Sequence, residues 1–168
     1  MPDRSCMIEL TKLLDQGERH ARRILLELRE KQLTAFYHLV APHGPDRIVV
    51  CTWRNDIDKQ LAVFQIKALS REMGAVAAML VSESWMLSIP AGEPIPIDPP
   101  AQDARRQEVV MMLATDGRET RARSLQIKRD KPGGRIVDLV TDETTRPGES
   151  EKFAGRLIDG IIEVRGDA

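Results

Sequence analysis

The dipeptide Asp116-Gly117 lies between two strand-like runs, "EVVMMLA" and "RARSLQIKRD". Asp-Gly favours the tight turn whose twist matches two antiparallel strands. Parallel neighbours need a crossover of about a dozen residues or more, so a turn this short excludes them. Upstream, "LTAFYHLVAPHGPDRIVVCTW" repeats the arrangement: β-rich runs at 33–41 and 47–53 flank a Pro/Gly/Asp cluster, and a second hairpin is expected there. The chain is thereby committed to an antiparallel sheet, and its helices must lie on the faces of that sheet.

Residues 5–31 read as the first helix, with Ser5 as N-cap. Met7, Leu10, Leu14, Ala21, Ile24, Leu25 and Leu28 return at threes and fours, as one helical face requires, and Gly17 interrupts them. Leu13 and Leu26 lie off this stripe and widen the apolar surface. The stripe can cover the chain's own sheet or pair with the same helix of a second subunit, and both can hold. In "RNDIDKQLAVFQIKALSREMGA", Asn55 or Asp56 caps a second helix, Asp58 favours its first turn, and Gly74 ends it. Leu61, Ala62, Ile66, Leu69 and Met73 supply its buried face. A strand follows over 75–89, then a proline-rich connection at 90–105, then the Asp116-Gly117 hairpin, and "KPGGRIVDLV" adds a turn and a further strand.

The order α-β-β-α-β-β-β, with a last strand and helix left open, predicts one α+β domain over 1–168. Its core spans 33–146, with an antiparallel sheet of about five strands covered by two or three helices. In the tail at 147–168, Phe153, Leu157, Ile158 and Ile161 fall at helical spacing, although Gly155 and Gly160 weaken that reading. The order is reminiscent of the roadblock and profilin-like architectures, an analogy of fold that carries no function.

The formal charge of −1 leaves no global field to draw the protein to nucleic acid or anionic lipid. Cys6 and Cys51 are too few for a disulfide framework or a cysteine-based zinc site. No apolar run has the length of a bilayer span, and charges recur too often near the N-terminus for a signal peptide. A cytoplasmic protein without membrane association is expected.

The stretch "VSESWMLSIPAGEPIPIDPP" holds the sharpest candidate. On a strand at 79–88, Met79, Val81, Glu83, Trp85 and Leu87 share one face. Glu83 is then a carboxylate among apolar neighbours. Its pKa would be raised for acid/base or ligand-orienting work, or an arginine of an adjacent strand would pair with it. Arg121 and Arg123 are the expected partners, and pairing is the commoner fate. Trp85 reads as core mass, with a pocket floor or interface anchor as the alternative. Pro90 stops the strand, and in the tract that follows Ile95 and Ile97 should pack on this domain or on a second subunit.

"VSESWML", the proline-rich connection and "RRQEVVMMLATDGRETRARSLQIKRD" together resemble a group of small uncharacterised bacterial and phage proteins, over roughly residues 56–140. That resemblance implies a bacterial, cytosolic origin and no catalytic residue.

Motifs for other chemistry are absent. There is no Walker loop, no glycine fingerprint after a strand, no zinc deaminase signature and no paired-histidine helix. His20 reads as solvated, while His38 and His43 could add two metal ligands at most, so neither metal nor cofactor is expected. If the first hairpin closes symmetrically around 43–46, His38 falls opposite Cys51, a nucleophile–base dyad that a register slip removes. Buried structural cysteine is the default for Cys51. From Arg118 to Arg135 seven basic residues face two acidic ones, a ribbon that could track phosphates. It has no aromatic for base stacking, and edge charges that prevent aggregation explain it better. The favoured reading is a small non-catalytic interaction module forming a homodimer, with a protein partner, through the Glu83–Trp85 strand and the proline-rich loop. An enzyme or small-ligand site at Glu83 comes second and a nucleic-acid binder third.

Overall fold

The computed structural model describes residues 9–94, 96–98, 102–141, 158 and 160–163. In chain order its elements are α1 (Leu10–Arg22, continued by a π-turn at Arg23–Glu27), β1 (Phe36–Val40), β2 (Arg47–Val50), α2 (Asp56–Met73), β3 (Ala77–Met86), β4 (Gln107–Thr115), β5 (Thr120–Arg129) and β6 (Ile136–Thr141). The six strands form one antiparallel sheet in the order β2-β1-β3-β4-β5-β6. The α+β class holds, with six strands in place of about five; the addition is the strand expected in "KPGGRIVDLV". The roadblock and profilin-like analogy is not confirmed.

Two turns fix most of this topology. Gly117 adopts φ 87, and the Asp116 carboxylate accepts the backbone N–H groups of Arg118 at 2.8 Å and Glu119 at 2.7 Å, closing the β4–β5 hairpin. At the first hairpin Asp46 accepts the Ala41 N–H at 3.0 Å. Helix α2 then carries the chain back so that β3 pairs with the free side of β1, which leaves β2 at the edge.

Strand alternation gives the sheet two apolar faces. Phe36, Val40, Met79, Val81, Val110 and Met112 point to the α1 side, where Leu10, Leu13, Leu14, Ala21 and Leu25 cover them. Each such leucine contributes about 1.5–3 kcal/mol by leaving water. The first-helix stripe therefore packs within its own subunit. Leu13, expected off the stripe, is buried, and Leu28, expected on it, is exposed. The reason for the latter is the π-turn, closed by the Leu28 N–H on the Arg23 carbonyl at 2.9 Å. Its extra residue shifts the periodicity just before Leu28. Gly17 lets the helix settle onto the sheet: a Cβ there would lie 2.9 Å from Met79 Sδ and 3.1 Å from Met112 Sδ. Ser5, Cys6 and Met7 lie outside the described residues.

Tyr37, Leu39, Ala78, Leu80 and Leu113 face the other way, under Ile66 of α2 and under Ile158, Ile161 and Ile162. The Ser70 hydroxyl donates to the Ile161 carbonyl at 2.7 Å in this buried layer. Of the tail residues expected at helical spacing, Ile158 and Ile161 are buried, while Phe153 and Leu157 lie outside the described residues. The α2 boundaries follow from its caps. Asn55 accepts the Asp58 N–H at 2.8 Å, and Gly74 takes φ 63 at the C-terminal end. Among the described residues no helix is long and apolar enough to cross a membrane.

Candidate interaction surface

Glu83 stands where β3 and β4 run on past the end of β1. It shares the α1 face with Trp85, as alternation predicts. Its carboxylate accepts the Leu33 N–H at 2.6 Å, tying the α1–β1 connection to the sheet. Half-burial pushes its pKa up; the Leu33 hydrogen bond opposes this, the nearby Glu108 carboxylate adds to it, and Arg129 opposes it more weakly. The expected partners go elsewhere. Arg121 binds Glu119 at 2.6 Å and the Thr11 hydroxyl at 2.8 Å. Arg123 reaches Asp15 at 2.8 Å and Glu18 at 2.9 Å on α1. The arginine near Glu83 is Arg129, held by Glu108 through contacts of 2.8 and 2.6 Å. Arg123 and Arg129 both belong to β5, two strands from Glu83; Arg123 lies under α1, where Asp15 and Glu18 take it, whereas Arg129 lies past α1 and pairs with Glu108 of the intervening β4.

Trp85 is not core. It is 44% exposed, and the Arg106 guanidinium lies 4.5 Å from its ring centroid. The tryptophan falls beyond the end of β1 and outside the cluster that α1 covers, so among the described residues that face leaves it half-exposed. Ile97 is fully exposed and packs on none of the described residues, while Ile95 lies outside them.

The His38–Cys51 dyad does not form. His38 pairs with Ile48, and the Cys51 N–H bonds the Ala35 carbonyl at 2.8 Å, so the register is three residues from the symmetric one. An odd shift turns side chains to opposite faces. His38 binds Asp46 at 2.8 Å, whereas Cys51 is buried on the α2 side with its thiol pKa pushed up by burial. The thiol is thus held protonated, the opposite of a primed nucleophile. His20 lies edge-on to Phe36 with ring centroids 4.9 Å apart, its pKa lowered by partial burial and by Arg23. Among the described residues no group of three or more His, Cys, Asp or Glu side chains could hold a metal ion.

Three of the exposed large apolar side chains lie together on α2. Ile57, Leu61 and Phe64 are 69%, 56% and 74% exposed. At 100° per residue they fall within about 60° of one another, on the side roughly opposite Ile66 and Leu69. Leu61, expected on the buried face, is five positions from Ile66 and so about 140° around the helix from it. Helix α2 therefore carries two apolar stripes, of which the sheet and the tail cover one. The signal for the second was present in "DIDKQLAVF", as Ile57, Leu61 and Phe64 at i, i+4 and i+7. Beside it, Ile48 and Val50 of edge strand β2 are also exposed, and Leu61 shares a cleft with Val50 and Trp53. Ile48 and Val50 belong to the opposite, α1 face of the sheet, so the stripe and the strand edge meet only along the cleft that Leu61 shares with Val50 and Trp53.

No family model, curated protein or solved structure matches the chain.

Proposed function

We propose that this protein is a small, non-catalytic interaction module that acts in the cytosol and self-associates as a homodimer. The observation that carries this reading is the second apolar stripe of α2, which is opposite the helix's packed side and exposed among the described residues. A second copy fits it in antiparallel orientation. Asp56, Asp58 and Arg71 of α2 are already paired within the chain, to Lys59, Arg54 and Glu163, so apolar contact and not charge drives this pairing. Antiparallel pairing about a two-fold axis sets Leu61 of one copy beside Phe64 of the other. Native mass spectrometry tests this directly: the wild type is expected as a dimer, and Phe64→Glu as a folded monomer. A wild-type protein that stays monomeric up to its solubility limit would overturn the reading.

The Trp85–Arg106 stack and Ile97 offer a second contact surface, for a protein partner, at the far end of β3. A ligand or catalytic site at Glu83 is the weaker reading, because its carboxylate is committed to the Leu33 amide. Nucleic-acid binding through 118–135 is weaker again, because Arg121, Arg123 and Arg129 are already bound to acidic side chains.

A further inference from the structure

The edge strand β2 is flanked by a cleft on each face of the sheet. On the α1 side, Ile48 and Val50 border a cleft of about 480 Å³ walled by Ile24, Leu33 and Phe36. On the α2 side, Val49 and Cys51 border one of about 510 Å³ walled by Trp53, Leu61 and Ile66. A helix laid on either face reaches one cleft only. An extended chain running beside β2 places successive side chains on opposite faces and enters both.

The register says which backbone groups would receive it. Cys51 donates its N–H inward to Ala35. In an antiparallel ladder residues alternate between bonding the neighbour and pointing away from it. Val49, opposite Tyr37, therefore bonds β1, and Ile48 and Val50 direct their N–H and C=O groups outward. Among the described residues β2 pairs only with β1. Edge strands are commonly blunted by charge, proline or a bulge. Arg47 supplies one charge at the start of β2, but Ile48, Val49 and Val50 carry no such device.

We infer that the β2 edge is a receptor for an extended peptide segment of a partner protein, bound by strand addition, with apolar side chains at successive positions entering the two clefts. The rims carry both signs, with His20, Glu30 and His38 on one side and Arg54 and Asp58 on the other, so the apolar pattern of the peptide sets selectivity rather than its net charge. This site adjoins the self-association stripe at Leu61, which belongs to the stripe and also walls the α2-side cleft. Phe64 lines neither cleft, and the two can be abolished independently.

The chain has two tryptophans, so Trp85→Phe leaves Trp53, in the α2-side cleft, as the sole tryptophan, excited selectively over Tyr37 at the red edge of the absorption band. The probes are end-blocked peptides of roughly six residues, an ordinary strand length, with Ile, Val, Leu or Phe at the central positions. A second set carries backbone N-methyl groups at alternate residues. The expected result is a saturable change in Trp53 emission that N-methylation in one phase abolishes and in the other phase leaves intact. Val50→Pro, which removes an outward N–H and no β1–β2 bond, should weaken binding about tenfold or more with the circular dichroism spectrum unchanged. Phe64→Glu should bind the peptides as the wild type does. Absence of any emission change across the peptide set would overturn the inference, as would binding indifferent to the N-methylation phase. An emission change that follows protein concentration alone would overturn it too, assigning the edge to a second copy if the change survives Phe64→Glu and assigning the signal to the α2 stripe if it does not.

Discussion

Glu83 contributes differently to stability at different pH. Its folded pKa lies above the ordinary 4.5 because burial disfavours the carboxylate. The folded state therefore binds the proton more tightly than the unfolded state does. The resulting stabilisation is fully present below the unfolded value and is lost as pH rises through the folded one. A glutamine at this position keeps a carbonyl oxygen for the Leu33 N–H and carries no charge to desolvate. Glu83→Gln is expected to be more stable than wild type at pH 7, with the difference shrinking toward pH 4, as urea unfolding across that range would measure. The face of Glu83 was legible from strand alternation alone. Its partner was not, because the amide it binds comes from the connection after α1, and no local pattern says where that connection crosses the sheet.

At the scale of elements, caps and periodicity carried most of the information. Asn55, Asp58 and Gly74 set the limits of α2 where the sequence places them, and the Asp116-Gly117 hairpin closes as expected. What failed was register and rotation. The first hairpin could not be registered because its two strands are short, and the turn depends on Asp46 reaching the Ala41 amide. The faces of α2 were merged because five of its apolar residues were assigned to one stripe when they belong to two. Gly17 breaks the apolar stripe of α1 in the sequence and in the fold is a point of close approach to the sheet. Gly17→Leu is expected to destabilise the fold by about 1–3 kcal/mol, since a branched side chain must displace Met79 and Met112. Gly17→Ala should be much milder, because the gain in helix propensity of about 1 kcal/mol offsets a small shift of two flexible methionines. Thermal unfolding of the pair of variants checks both.

Across the whole molecule, α1 is joined to the strands most distant from it in sequence. Arg22 bonds Glu18 at 3.0 Å and the Leu139 carbonyl at 2.9 Å, while Arg123 reaches from β5 to both Asp15 and Glu18. The Arg123 and Glu18 side chains are each only 20% exposed, so solvent screens this network less than a surface pair. Arg123→Ala is expected to cost about 1–2 kcal/mol and to speed hydrogen exchange in α1 ahead of β1 and β3. Unchanged exchange in α1 would show that apolar packing alone holds the helix. The same wiring has a consequence during synthesis. Glu18 and Arg123 are 105 residues apart, and ribosomes add roughly 5–20 residues per second. The first helix therefore leaves the ribosome on the order of 5–20 s before the strand that anchors it. Until β3 and β4 also emerge its leucines lack most of the sheet they cover, which makes the nascent chain a client for a holding chaperone before it is a folded domain.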